Sequence, residues 1–217
     1  MTGKRLLKSI ATSAIITGVA LAVSHQVRAD GATRPGGGYA ATGQIGDVGY
    51  SETIYDATNG LPTSDANYIM ASSDGHIWIG GYSGIIRYDG TSFERLDPSE
   101  GLTSGRVIFE DSKNRVWVGT NDNGAVVVDK DTSRHFTYRD GLLSSSVRSF
   151  AEDGDGTVFI GTTAGVAYVD ESMKLAVLSD DRINDDVVLR LETDASGKVF
   201  GQTKTGKIFT IAGHDVD

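Results

Sequence analysis

The sequence predicts an all-β protein: a β-propeller of about four four-stranded blades that form part of a larger ring. One motif, an acidic turn followed by an aromatic residue and a glycine, recurs four times at intervals of 39, 42 and 41 residues. A repeat of about 40 residues is typical of propeller blades. Glycine is abundant at 28 residues and proline scarce at 3, which favours many tight turns between short strands. The aromatic residues of the motif are Trp78, Trp117, Phe159 and Phe200.

The first repeat unit illustrates the four-stranded blade. Alternating and β-branched residues predict strands that are separated by short glycine-containing or polar turns. In the second strand, Trp78 stands between Ile77 and Ile79, so it points to the opposite face of the sheet. A Gly-Leu pair marks the first three joints between units, and Asp181-Arg182-Ile183 replaces it at the fourth. The predicted strands of this unit cover residues 66–71, 76–80, 85–88 and 93–96, and the four blades cover about residues 60–100, 101–140, 141–180 and 181–217.

The ring architecture assigns structural roles to the motif residues. Neighbouring blades cover both faces of each sheet, so we expect all four aromatic residues, Phe200 included, to fill the space between blades. Gly80, Gly119 and Gly161 end the aromatic strands, where a side chain would hinder a close approach. Residues 50–56 resemble the last strand of a preceding blade and could pair with the final blade in a closed ring.

The N-terminal part of the chain is predicted to be a targeting segment rather than part of the fold. Basic residues precede a largely apolar run over residues 9–23. This layout predicts a secretory signal peptide over residues 1–29 with cleavage before Asp30, and an uncleaved anchor is the alternative. Residues 30–49 are rich in glycine, alanine and threonine and predict a flexible linker to the propeller repeats over residues 50–217. We therefore expect export to the periplasmic or extracellular side of the cytoplasmic membrane.

The composition argues against several classes of function. The net charge is −9 without a basic stripe, which excludes nucleic acid as an expected partner. The chain has no cysteine, so it has neither a disulfide framework nor a thiolate metal site. Residues 153–156 resemble the start of a calcium loop, but Ala164 stands where the loop needs a glutamate, so we predict a hairpin turn. The histidines are isolated, and we expect no metal, no cofactor and no catalytic residue.

Equivalent loops of the repeat provide candidate ligand-binding residues. Propellers bind ligands at the mouth of the central channel, where loops between strands and blades converge. Such loops lie around residues 63–65 and 104–106 and at the corresponding place in the third unit. From these we single out Asp65, Arg106 and Arg148 as candidates, with ordinary solvated loops as the alternative. The expected ligand is an unidentified small molecule or glycan.

The repeat resembles that of the two-component regulator propeller family. The first unit carries Gly60-Leu61-Pro62, then Trp78-Ile79-Gly80, then a Tyr88-Asp89 ending. The second and third units keep Trp117-Val118-Gly119-Thr120 and Phe159-Ile160-Gly161-Thr162. The resemblance covers the chain from about residue 50 to its end, although the fourth unit departs from the pattern.

This resemblance implies a sensory role outside the cytoplasmic membrane. Family members usually join such a propeller to a transmembrane helix and a C-terminal signalling domain, either a histidine kinase or a diguanylate cyclase. The implied function is therefore a sensory, ligand-binding segment of a bacterial signal-transduction protein, itself non-enzymatic, whose output domain lies beyond this chain. The expected partners are that signalling domain and a second copy in a homodimer. Two alternatives stay open: an enzyme similar to streptogramin lyases, and a secreted binding module without signalling output.

Overall fold

The computed structural model describes residues 53–63, 65–130 and 132–217. These residues form four antiparallel sheets of four strands each, which confirms the predicted propeller blades. The predicted signal peptide, residues 1–29, and linker, residues 30–49, lie outside the described residues. In the described part of the chain, no helix has both the length and the apolarity to cross a membrane.

Each sheet follows chain order from its first strand to its fourth. Each also lies within one of the blade ranges predicted from the repeat. We call them blades 1 to 4. Blade 1 contains β1 (Ala66–Ala71), β2 (Ile77–Gly81), β3 (Gly84–Tyr88) and β4 (Phe93–Arg95); blade 2 contains β5 (Gly105–Glu110), β6 (Val116–Thr120), β7 (Ala125–Asp129) and β8 (Thr132–Phe136). Blade 3 contains β9 (Val147–Glu152), β10 (Val158–Thr162), β11 (Gly165–Val169) and β12 (Leu175–Leu178); blade 4 contains β13 (Val188–Thr193), β14 (Val199–Thr203), β15 (Ile208–Ala212) and β16 (Asp215–Val216).

Three apolar clusters hold successive blades together. In each cluster the aromatic face of one blade packs on the aliphatic face of the next, so Trp78 meets Ile108 and Val118 of blade 2. In the same way, Trp117 packs with Phe150 and Ile160 of blade 3, and Phe159 packs with Leu191 and Val199 of blade 4. Burial of such side chains stabilises each joint by several kcal/mol, on the order of 2–3 per large residue.

At each joint between blades, the leucine of the Gly-Leu pair or the isoleucine in its place is buried in the apolar cluster. Leu102 and Leu142 are buried in the first two clusters, each after a glycine with a left-handed backbone that ends a 3₁₀ turn. At the joint between blades 3 and 4, Asp181-Arg182-Ile183 replaces the Gly-Leu pair, yet Ile183 is buried in the equivalent cluster. The fourth repeat unit therefore keeps the buried apolar residue at this joint and loses only the glycine turn.

The motif glycines lie where the blades approach most closely. A Cβ atom on Gly119 would come within 2.6 Å of both Val107 in its own blade and Val147 in the next. A Cβ atom on Gly161 would come within 2.9 Å of Val188 of blade 4. A Cβ atom at such distances would force the valine side chains to move, which agrees with the reason for which Gly119 and Gly161 were singled out.

Phe200 is more exposed than the other three aromatic residues of the motif. Its side chain is 39% exposed, whereas Trp78, Trp117 and Phe159 are 2%, 0% and 0% exposed. Phe200 has the same register as Phe159 and lies next to Glu192 and Thr210, on the face of blade 4 that points away from blade 3. Among the described residues no blade covers that face, and the inter-blade role of Phe200 stays a prediction.

The segment before blade 1 also differs from expectation. Of residues 50–56, the described part begins at residue 53 and forms no strand. Instead, Tyr55 packs on two rings of blade 1, with centroids 5.6 Å from Tyr88 and 5.2 Å from Phe93. This segment therefore extends the core of blade 1, and the structure does not place it beside blade 4.

Candidate functional site

A cavity of about 770 Å³ lies between strands of the four blades. It is bounded by one strand from each blade, the first in chain order: β1, β5, β9 and β13. Small-molecule sites typically enclose about 300–1,000 Å³ and combine apolar walls with a few polar groups. The position of the cavity corresponds to the central channel of a propeller.

A β-bulge occurs at the same place in all four cavity strands. In each strand one residue near the start has no partner, because the two residues around it pair with successive residues of the neighbouring strand. A bulge bends the strand and re-aims the side chain of the extra residue. The four bulged residues are Asn67, Arg106, Arg148 and Leu189.

Of the three candidate residues from the sequence, the structure places one in the cavity wall. Arg148 is partly buried and lines the cavity. Arg106 is exposed and occupies the equivalent bulge in blade 2. Its positive charge acts on Arg148, whose pKa is lowered mainly by burial and secondly by that charge. Asp65 lies outside the cavity wall, where its backbone N–H donates to the Thr63 hydroxyl at 3.1 Å.

Aromatic and aliphatic side chains supply the part of the wall that sequence reasoning missed. Phe109 and Phe150, from blades 2 and 3, stack with ring centroids 6.3 Å apart. Tyr68 faces the cavity from blade 1, and burial, followed by the negative charge of Glu192, raises the pKa of its hydroxyl. Leu189 lines the wall from blade 4. In the sequence, the only sign that these residues line the cavity was their position on the first strand of each unit.

Carboxylates at the ends of the cavity strands bind turns of the preceding blade. Glu110 accepts hydrogen bonds from the backbone N–H of Ser73 at 2.9 Å and from its hydroxyl at 2.7 Å. Glu152 accepts the same pair of bonds from Ser112, both at 2.7 Å. These carboxylates are therefore occupied in holding neighbouring blades together.

The histidines lie away from the cavity. His76 contacts Asp74 at 2.9 Å, His135 contacts the backbone carbonyl of Asn123, and His214 stacks on a tyrosine of blade 3. Within the described ranges, no group of three histidine or acidic residues is placed to hold a metal ion. The side chains of the cavity wall are suited to non-covalent binding: aromatic rings, arginine forks and a tyrosine hydroxyl.

Comparison with known proteins also identifies a propeller repeat in this chain. The profile of the two component regulator propeller family matches residues 104–122 and 141–164, which fall in blades 2 and 3. A search of curated proteins found no match. The fold defines the class, a β-propeller. Within that class, blades 2 and 3 match the repeat of the two component regulator propeller, which confirms the resemblance expected from the sequence.

Solved structures with similar folds include extracellular parts of signalling proteins. The extracellular domain of the hybrid two component system BT3049 from B. thetaiotaomicron has a TM-score of 0.64 at 20% identity, over 75% of this chain and 24% of that one. The extracellular domain of the one component system BT4673 from the same organism has a TM-score of 0.59 at 19% identity, over 75% and 25%. The chain thus spans about a quarter of the length of these proteins.

An enzyme is also among the proteins of similar fold. Virginiamycin B lyase from Staphylococcus aureus has a TM-score of 0.59 at 13% identity, over 72% of this chain and 56% of that one. At such identity the likeness is one of fold, and a fold alone does not carry an activity.

Proposed function

We propose that this chain is the extracytoplasmic, ligand-binding part of a bacterial signal-transduction protein. The main support is the central cavity, which one strand from every blade lines with both rings and charged groups. A ligand held there would contact several blades at once, so binding could change how the blades pack. The proposed ligand is a small molecule or glycan. The matched repeat and the extracellular domains of similar fold support the same role.

The proposed partner is an output domain in the full-length protein. A C-terminal histidine kinase or diguanylate cyclase would receive the binding signal, with a homodimer as the signalling form. The propeller itself is proposed to be non-enzymatic. The proposal also includes further blades, because the outward face of blade 4 presents Phe200 at 39% exposure and Ile208 at 78%. In the three joints within the chain, that face of a blade is covered by the next one.

Filling the cavity is expected to abolish ligand binding. Leu189 lines the cavity and is 45% exposed, so Leu189→Trp can place its ring in the cavity without displacing the core. Thermal unfolding is measured with a panel of mono- and oligosaccharides, amino acids and organic acids. We expect at least one compound to raise the Tm of the unaltered chain, because a ligand that binds the folded state stabilises it. The same compound should leave the Tm of Leu189→Trp unchanged.

The matched control is Ile208→Trp, which adds the same ring at an exposed apolar position on the outward face of blade 4. This variant should keep the ligand-induced rise in Tm. A rise of equal size in Leu189→Trp, or a panel that raises the Tm of no form of the chain, would contradict a ligand site in the cavity.

Export is expected to leave a mature protein that starts at Asp30. The layout of residues 1–29 supports cleavage at that point. N-terminal sequencing of the protein recovered from the periplasm or the membrane fraction tests this directly. A start at Met1 or Thr2 would rule out cleavage and leave the uncleaved anchor.

The lyase alternative has less support. A propeller lyase needs a histidine acid or base together with a metal at the mouth of its channel. The described histidines lie outside the cavity wall, and the lyase of similar fold is only 13% identical. A secreted binding module without output would share the cavity and differ only in the missing signalling partner.

A further inference from the structure

Two arginines beside the cavity form no ion pair with a described carboxylate. Among residues 53–63, 65–130 and 132–217, neither Arg106 nor Arg148 has an acidic side chain within ion-pair distance. By contrast, Arg190 lines the same cavity but forms an ion pair with Glu192 at 2.6 Å. Of the two arginines in the cavity wall, Arg148 is therefore the one without an ion pair among the described residues.

The backbone and one neighbour hold Arg148 in place. The bulge sets the direction of its side chain, and its Nη1 donates to Asn121 Oδ1 at 3.3 Å. An arginine keeps its charge at any ordinary pH, so the nearby charge of Arg106 is an electrostatic cost to the folded chain. A bound anion would relieve this cost.

Two buried polar groups next to Arg148 have no hydrogen-bond partner among the described residues. The Ser149 side chain is 6% exposed and lines the cavity, and its hydroxyl is unpaired. The amide nitrogen of Asn121 is also buried and unpaired, while its oxygen accepts from Arg148. A buried donor without an acceptor costs about 1–3 kcal/mol. Of the two groups, only Ser149 belongs to a residue of the cavity wall.

We propose that Arg148, assisted by the charge of Arg106, binds the carboxylate group of a small organic acid in the cavity. This inference rests on the proposed function and names the ligand class for that cavity. The planar guanidinium fork matches the two oxygens of a carboxylate. Ser149 belongs to the same wall, and the stacked rings of Phe109 and Phe150 form an apolar wall for the body of the acid.

Benzoate is the probe for this site, and benzamide is its neutral counterpart of the same shape. We expect isothermal titration of the full chain to show benzoate binding with a Kd of roughly millimolar, as suits a ligand of nine heavy atoms. Benzamide should not bind measurably. Arg148→Gln should weaken benzoate binding by about tenfold or more, the loss expected for a charge-assisted hydrogen bond. Sulfate at equal concentration should not displace benzoate.

Arg139→Gln removes the same charge from an exposed turn outside the cavity and should leave the Kd unchanged. If Arg148→Gln fails to fold, Arg106→Gln replaces it, since that residue is exposed, and should weaken binding by about threefold through the lost charge. An absence of benzoate binding, equal binding of benzamide, displacement by sulfate, or an unchanged Kd in the variant used would overturn the carboxylate site.

The two proposals fail in different ways. A neutral compound whose Tm rise is lost in Leu189→Trp but kept in Arg148→Gln would overturn the carboxylate assignment and leave the cavity as a ligand site. A panel that raises the Tm of no form of the chain would overturn both.

Discussion

Replacing Phe159 with alanine is expected to lower the free energy of unfolding by about 3–5 kcal/mol. The ring is fully buried between blades 3 and 4, in a cluster with Leu191 and Val199. Its loss removes apolar contact with both blades and leaves a cavity that two twisted sheets cannot close. Urea-induced unfolding followed by tryptophan fluorescence and by circular dichroism measures the change.

The same substitution at Phe200 provides the matched control. Phe200 has the equivalent place in the repeat but is 39% exposed on the outward face of blade 4. Phe200→Ala should therefore cost about 1 kcal/mol or less in the chain as it stands. Equal losses for the two variants would mean that the outward face of blade 4 is covered, contrary to the packing described above.

Removing the carboxylate of Asp111 is expected to lower the free energy of unfolding by a similar amount, about 3–5 kcal/mol. One oxygen of this buried side chain accepts from Arg115 Nε at 2.6 Å and from the Trp117 indole N–H at 2.7 Å. The other accepts two backbone N–H groups of its own turn. Asp111→Ala would leave a buried guanidinium and a buried indole N–H unpaired, and chemical denaturation measures the loss.

Asp153 is the matched control for Asp111 because it stands at the same place in the turn of blade 3. Its carboxylate accepts only the backbone N–H groups of Asp155 and Thr157, at 3.0 and 2.9 Å. Asp153→Ala should therefore cost about 1 kcal/mol. If Asp111→Ala proved no more costly than Asp153→Ala, the ion pair and the indole bond would contribute nothing to stability.

The repeat carried most of the information about the fold. Strand β1 has the predicted bounds, and β2, β3 and β4 differ from theirs by one residue. Periodicity alone could not reveal that no described blade covers the aromatic face of blade 4, where Phe200 is exposed. The pattern also hid the partner of Trp78, whose indole donates to Ser72 at 3.2 Å. Ser72 stands six residues before Trp78, as Asp111 does before Trp117, whereas the acidic residue visible in the motif was Asp74.

The cavity could be predicted only in part. Arg148 was accessible to sequence reasoning because it lies in an equivalent place of the repeat, and the structure puts it in the wall. The bulges could not be predicted from the sequence, since they depend on a one-residue offset between paired strands. Tyr68, Phe109 and Leu189 meet only because four separate blades curve around one space. Asp65 shows the converse, as its loop position in the repeat does not bring it to the cavity.

The most direct test of the central claim is a crystal structure of the chain with the compound that gives the largest rise in Tm. The account predicts ligand density inside the cavity, in contact with wall residues from at least two blades, such as Phe109 and Arg148. Density on an outer face of a blade, with the cavity wall untouched, would contradict it.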